Sequence, residues 1–88
     1  MKIKETIRTP AFKRAFRSLP KEVKVEALNK EKIFREDAFD PKLKTHKLKG
    51  KFEDYYSFSI NYSYRIVFRF ITKDKILFVD CGDHSVYK

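Results

Sequence analysis

The hydrophobic and polar positions of the first 40 residues predict one strand followed by two helices. In residues 2–8, apolar and polar side chains alternate except at Glu5, which favours an edge or half-buried strand. Thr9 and Pro10 then provide a capping hydroxyl and a proline suited to the first turn of a helix. Two apolar stripes with the helical period follow, separated by Pro20. The stripes consist of Phe12, Phe16 and Leu19 in the first helix and Val23, Ala27 and Phe34 in the second, with Leu28 and Ile33 on the margins of the second stripe.

The period changes to two after Asp40 and Pro41, where Phe39 and Leu43 are expected to hold the connection against the core. Three strands joined by short turns are predicted, which together form an antiparallel meander. One face of the meander is aromatic and is expected to cover the helices, and the other is expected to be open to solvent. The strands lie at residues 55–60, 64–71 and 75–81, and the open face carries Ser57, Ser59, Arg65 and Arg69.

The predicted order is therefore β-α-α-β-β-β. This is an α+β fold in which an N-terminal strand and a two-helix hairpin pack on an antiparallel β-sheet. The 88 residues are expected to form a single domain, 1–88, because this length suits one core and the sequence has no repeat or linker.

The composition adds a strong positive charge to this picture. Twenty-one Lys and Arg residues against twelve Asp and Glu give a net charge of +9, which favours a polyanionic partner such as nucleic acid over a merely soluble basic protein. The single cysteine, Cys81, excludes an internal disulfide and follows an apolar run, so a buried structural thiol is expected. The first residues lack the apolar stretch of a signal peptide or membrane anchor, so we expect a cytoplasmic protein with no membrane contact.

Basic residues provide the first candidates for function. Arg65 and Arg69 lie four residues apart on one strand and therefore point to the same face. Arg65 begins its strand, where a cleft can form, and its planar guanidinium suits a phosphate, whereas an arginine such as Arg69 on a wet face often serves solubility alone. The segment 44–51, KTHKLKGK, surrounds His46 with lysines that can follow a phosphate backbone, or can form a solvated basic loop. These candidate nucleic-acid-binding lysines are Lys44, Lys47, Lys49 and Lys51.

The C-terminal residues provide candidates for proton transfer. His84 and Tyr87 follow the last predicted strand, and if that strand lies beside the one carrying Arg65, His84 can return toward the same cleft. A histidine, a tyrosine and an arginine can cleave RNA without metal, because two groups exchange protons with the 2′-hydroxyl and the departing 5′-oxygen while the cation stabilises the phosphate. The two histidines do not pair with cysteines or carboxylates at a recognised spacing, so neither a metal nor any other cofactor is expected.

Three segments in order, HKLKG, YRIVF and GDHSVY, resemble the RelE/ParE superfamily of toxins from prokaryotic toxin–antitoxin pairs. The chain is most similar to the YafQ- and YoeB-like messenger-RNA interferases. The resemblance implies metal-independent cleavage of mRNA on the ribosome and silencing by a cognate antitoxin, which we expect to be acidic. It assigns phosphate stabilisation to Arg65 and proton transfer to His84. It matches Tyr87 to a terminal aromatic that helps catalysis or stacks on a base, and His46 to the histidine that opens the HxLxG segment of YafQ-like members.

The chain also departs from the family. The lysine pair of the RelE branch has no counterpart, since Tyr55, Ser57 and Ser59 occupy that strand face, and YafQ-like toxins carry a histidine at the position of Ser59 and an acid near Ser63. Two other functions therefore stay open. One is a non-catalytic relative, either a ParE-like gyrase inhibitor or an inactive RNA-binding member. The other is a basic RNA-binding module in which Tyr55 and Tyr56 stack on bases.

Overall fold

The computed structural model describes residues 2–52 and 54–83, and in that part of the chain five strands form one mixed sheet with the order β1-β5-β4-β3-β2. The predicted α+β order is confirmed. Two short 3-10 turns, Pro41–Leu43 and Gly50–Phe52, interrupt the connection between the helices and the meander. The helices and strands are β1 Glu5–Arg8, α1 Pro10–Arg17, α2 Lys21–Glu36, β2 His46–Lys47, β3 Tyr56–Ser59, β4 Arg65–Thr72 and β5 Lys75–Gly82.

The two edges of the sheet are formed by short strands. β1 is an edge strand, as its pattern predicted, and it runs parallel to β5 with Ile7 opposite Leu77. β3, β4 and β5 form the predicted antiparallel meander. β2 was not predicted. It pairs His46 with Ser57 and Lys47 with Tyr56, and thereby forms the opposite edge.

The helices begin and pack as the sequence indicated. The Thr9 hydroxyl accepts a hydrogen bond from the Phe12 amide at 3.0 Å, and Pro10 is the first residue of α1. Phe34 of α2 packs at the centre of the core, with its ring 4.8 Å from that of Phe58 and 4.9 Å from that of Phe68. The aromatic face of the meander therefore covers the helices, and the offset and edge-on contacts between rings add to the apolar burial.

One prediction for α2 needs correction. Leu28, placed at the margin of the apolar stripe, is 48% exposed, whereas Glu31 is only 3% exposed. Ala27, Glu31 and Phe34 follow the i, i+4, i+7 spacing of the inward face of the helix, and Leu28 lies one step outside it. The connection after α2 packs as expected at Leu43, which is fully buried. Phe39, which was also expected to hold it against the core, is 45% exposed, and its ring lies against those of Tyr56 and Phe70 at 6.0 and 6.1 Å between centres.

Glu31 is buried because an arginine of the edge strand reaches it. Arg8 of β1 donates from Nη2 to both carboxylate oxygens of Glu31, at 2.7 and 2.9 Å. The same guanidinium lies 5.3 Å from the ring centre of Phe12 and 5.4 Å from that of Phe16. This arrangement ties β1 to both helices.

The face predicted to be open is covered at its centre. Ser57 and Val67, directly opposite each other on β3 and β4, are buried, and so is Ser59. Of these, Ser59 accepts a hydrogen bond from Arg65 Nη1 at 2.6 Å. Only Arg69 of the four predicted residues is exposed. No helix within residues 2–52 and 54–83 is both long and apolar enough to cross a membrane.

Candidate functional site

A cleft of about 380 Å³ lies where α2, the 3-10 turn after it and the start of β4 meet. Two neighbouring strands contribute to its floor, because Ser59 of β3 and Arg65 of β4 are direct partners in the sheet. The turn between these strands forms the rim, and three lysines from other elements complete the wall. The lining residues are Lys30, Lys42, Lys44, Ser59, Asn61, Tyr62 and Arg65.

Arg65 is held in a defined position within this cleft. Its Nη1 donates to the Ser59 hydroxyl oxygen at 2.6 Å, and the residue is half-buried. Residue 65 is also opposite Gly82 of β5, so three strands meet at this row of the sheet. A guanidinium fixed by one hydrogen bond keeps its remaining N–H groups free for an anion, which is the arrangement that suits a phosphate.

The β3–β4 turn is fixed against α2 by a single amide side chain. Asn61 Oδ1 accepts hydrogen bonds from the amides of Ser63 and Tyr64, both at 2.9 Å, and Nδ2 donates to Glu26 of α2 at 3.0 Å. Tyr62 stands at the tip of this turn and is 91% exposed. The rim is therefore anchored, while its aromatic ring faces solvent.

Two of the lysines are positioned by the 3-10 turn. Asp40 caps the turn by accepting from the Lys42 amide at 2.8 Å, and Leu43 is buried beneath it. Lys42 and Lys44 therefore leave the turn on either side of an apolar anchor. Lys44 ends the turn in the left-handed conformation, with φ 53° and ψ 40°, which a residue with a Cβ adopts only at a steric cost.

The cleft is electropositive. Its described lining contains no aspartate or glutamate. Within residues 2–52 and 54–83, none of Lys30, Lys42, Lys44 and Arg65 forms an ion pair with a carboxylate. Four uncompensated cations around one depression raise the local concentration of anions.

The other candidate residues lie outside this cleft. His46 is exposed on the edge strand β2, with Nδ1 3.1 Å from the Lys44 carbonyl oxygen. Lys47 and Arg69 line a second depression together with Asp54, and Lys49 and Lys51 are exposed. Of the predicted residues, the structure thus brings Arg65 and Lys44 together and leaves the rest of this group on the adjoining edge.

His84 and Tyr87 lie outside the described residues. The strand that leads to them does lie beside the one that carries Arg65, as their predicted role requires, since Gly82 is the β5 partner of Arg65. Lys30 and Lys42 were not predicted as site residues. Their sequence neighbours are ordinary helix and turn residues, and only the fold brings them to the cleft.

The chemistry available in the described part of the cleft is anion binding. Its described lining offers arginine, lysine, serine, asparagine and tyrosine side chains, but no histidine or carboxylate. The described residues contain no group of three or more His, Cys, Asp or Glu side chains placed to hold a metal ion. Cys81 is the buried structural thiol that was predicted, and burial raises its pKa to about 12.

No protein-family model and no curated protein matches this sequence, but solved structures share its fold. A YoeB/ParE toxin from Agrobacterium tumefaciens matches with a TM-score of 0.76 and 16% identity over 92% of this chain and 99% of the toxin. The E. coli DinJ–YafQ toxin–antitoxin complex matches with a TM-score of 0.75 and 12% identity, over 98% of this chain and 97% of the matched chain. The archaeal RelE–RelB complex from Pyrococcus horikoshii matches with a TM-score of 0.71 and 22% identity, over 94% of this chain and 96% of the matched chain. The chain therefore has the RelE/ParE-type toxin fold, as the resemblance implied.

Proposed function

We propose that this chain is the toxin of a toxin–antitoxin pair and acts as a metal-independent endoribonuclease on mRNA bound to the ribosome. Its fold is shared with YoeB, YafQ and RelE toxins, and two of those structures are complexes with an antitoxin. The observation that carries the proposal is Arg65, fixed by Ser59 in a cleft with three lysines that form no ion pair with any carboxylate of the described residues. Its partner in the cell is then an acidic antitoxin, which a net charge of +9 would attract.

The proposed reaction places the scissile phosphate on the guanidinium of Arg65. The 2′-oxygen attacks phosphorus, the bond to the 5′-oxygen breaks, and the products carry a 2′,3′-cyclic phosphate and a 5′-hydroxyl. Of His84 and Tyr87, one accepts the 2′-hydroxyl proton and the other donates a proton to the departing oxygen. Both follow Gly82, which is opposite Arg65 in the sheet.

The surface beside the cleft would then bind the rest of the RNA. His46 and Lys47 on β2, and Arg69 on β4, are exposed on strands that lie either side of β3 and would contact nucleotides beyond the cleavage site. Such contacts with phosphates position an RNA strand and make its binding dependent on salt. Lys49 and Lys51 would extend the same basic surface. Because its substrate would be mRNA on translating ribosomes, the protein would act in the cytoplasm.

The test is cleavage of mRNA on programmed ribosomes by wild type and by Arg65→Ala. Removing a preorganised charge from a transition state costs roughly 10²–10³-fold in rate, so we expect a loss of that size with an unchanged thermal melt. Arg65→Lys should recover part of the rate, because a point charge cannot reproduce the two-pronged geometry. Arg17→Ala, which removes an exposed arginine from α1, is the matched control and should cleave like wild type. Equal rates for Arg65→Ala and Arg17→Ala would refute the assignment.

A non-catalytic toxin is the second candidate, and one observation favours it. The described lining of the cleft has no histidine or carboxylate to move protons. Such a protein, either a gyrase inhibitor or an RNA-binding relative, would bind its target without producing cleaved ends. Wild-type protein that binds programmed ribosomes but leaves the mRNA intact, or that inhibits gyrase supercoiling instead, would support this alternative.

A further inference from the structure

The cleft holds more positive charge than one phosphate requires. A phosphodiester carries a single negative charge, whereas Arg65 is accompanied by Lys30 from α2 and by Lys42 and Lys44 from the 3-10 turn. The volume of about 380 Å³ is also in the range of pockets that hold whole small ligands. Both the charge and the space fit a stretch of nucleic acid rather than an isolated phosphate.

We propose that Lys30 and Lys42, together with Lys44, form a second phosphate subsite that binds the phosphodiester next to the one on Arg65. The subsite rests on the proposed function for the position of the scissile phosphate. It adds two residues that neither the sequence motifs nor the resemblance assigns. An RNA strand that occupies both sites passes from β4 toward α2.

The environment of Lys30 supports this role. Glu26 lies four residues before Lys30 on α2, the spacing at which a glutamate and a lysine stabilise a helix by pairing. In the structure the Glu26 carboxylate accepts from Asn61 Nδ2 at 3.0 Å and forms no ion pair with Lys30. The local partner of Lys30 is thus engaged by the β3–β4 turn, and the half-buried lysine faces the cleft without a carboxylate.

The backbone of Lys44 gives independent support. Its left-handed conformation is occupied most easily by glycine or asparagine, and other residues adopt it at a steric cost. Strained backbone of this kind clusters at functional sites. Here the strain is found where the side chain of Lys44 lines the cleft.

The exposed ring of Tyr62 favours nucleic acid over an acidic protein segment as the occupant. An acidic peptide would also be attracted by the lysines, but it has no particular use for an aromatic side chain that is 91% exposed at the rim. An unpaired base of a single strand, by contrast, stacks favourably on such an exposed ring. A phosphate-binding wall beside a stacking platform is the usual construction of single-strand sites.

The experiment measures binding of a short single-stranded RNA made uncleavable by 2′-O-methylation, by fluorescence anisotropy over a series of salt concentrations. On single strands the slope of log K against log salt becomes shallower by about 0.7 for each phosphate that the protein no longer neutralises. Because both lysines are proposed to bind the same phosphodiester, Lys30→Gln/Lys42→Gln should flatten the slope by about 0.7 and weaken binding at low salt. The matched control is Lys32→Gln/Lys13→Gln, which removes two helical lysines outside the cleft and should behave like wild type.

Three results would overturn the subsite. One is a slope for the cleft double variant equal to that of the control, and another is wild type that binds no more tightly than the cleft variant. The third concerns polyglutamate, titrated in the same way as an acidic-protein probe. If Lys30→Gln/Lys42→Gln weakens its binding but leaves the RNA slope unchanged, the cleft is a site for acidic protein. Because the readout is binding, it is independent of the proposed cleavage: wild type that binds through Lys30 and Lys42 yet never cuts RNA would refute only the reaction.

Discussion

The ion pair between Arg8 and Glu31 predicts how the edge strand is held to the helices. Replacing Arg8 by Met keeps an apolar stem over the rings of Phe12 and Phe16 but removes the only cation that hydrogen-bonds the Glu31 carboxylate within the described part of the chain. Glu31 is 3% exposed in the folded protein. The variant therefore leaves a buried carboxylate without its counter-ion.

The size of this effect follows from the burial of the two groups. Breaking a buried ion pair by removing one partner costs about 3–5 kcal/mol. The side chain of Arg8 is 30% exposed, which weakens the pair in wild type and places the expected loss near the lower limit, about 3 kcal/mol at neutral pH. For a chain of this size, that loss lowers the melting temperature by roughly 12–24 °C.

The loss should depend on pH in a defined direction. Burial raises the pKa of Glu31, whereas the charge and hydrogen bonds of Arg8 lower it, so the Arg8→Met variant raises that pKa further. A carboxyl with a higher pKa in the folded state binds more protons when folded, and stability then falls as the pH rises through that folded pKa. The penalty should be small below about pH 4.3, the ordinary glutamate value, and should grow above it.

The assay is urea denaturation of wild type, Arg8→Met, Glu31→Gln and the double variant, followed by circular dichroism from acidic to neutral pH. Glu31→Gln should cost less than Arg8→Met, because the partly exposed guanidinium keeps access to water. The double variant should be more stable than the sum of the single losses predicts. A loss for Arg8→Met below about 1 kcal/mol, or one that does not change with pH, would refute the buried-pair account.

Three further predictions concern the cleft and the core. Ser59→Ala removes the hydrogen bond that positions Arg65. Because hydrogen bonds to charged groups contribute about 1.5–3 kcal/mol, single-turnover cleavage should fall roughly 10- to 150-fold with KM unchanged. An effect on KM alone would contradict a positioning role. Lys44→Asn should leave the free energy of unfolding unchanged or raise it by up to about 1 kcal/mol, because asparagine tolerates the left-handed conformation. The affinity for RNA should fall. A destabilised variant would show that the lysine serves the fold. Cys81, whose pKa burial raises to about 12, should react with a thiol reagent at about pH 8 only as fast as the protein unfolds, and rapid labelling of the native protein would contradict its burial.

Local signals were sufficient to predict most of the fold. The Thr9 cap, the proline after it and the Asn61 turn act over three or four residues, so the sequence shows them directly. β2 escaped prediction because two residues carry no measurable period. The parallel pairing of β1 with β5 joins residues about seventy positions apart, so no local pattern encodes it.

Within the candidate site, the sequence predicted the strand face of Arg65 but not the residues that distant elements bring to it. The alternation of side chains along a strand was enough to predict the face on which Arg65 lies. The pairing of Arg65 with Ser59 in the sheet confirms that the two residues share that face. Glu31 was missed because charged helix residues usually face solvent, and its partner Arg8 lies 23 positions away. Lys30 and Lys42 were missed for a related reason, since the cleft that they line is assembled from elements far apart in the sequence.

Truncation after Gly82 tests whether the chain cleaves ribosome-bound mRNA with groups that follow β5, as proposed. This variant retains the whole of β5 and Arg65 but lacks His84 and Tyr87. Wild type should cut mRNA on programmed ribosomes in the presence of EDTA and leave a 2′,3′-cyclic phosphate. The truncated form should still bind but cleave at least roughly 10²-fold more slowly. Equal cleavage rates for the two proteins, at equal stability, would contradict the proposed role of His84 and Tyr87.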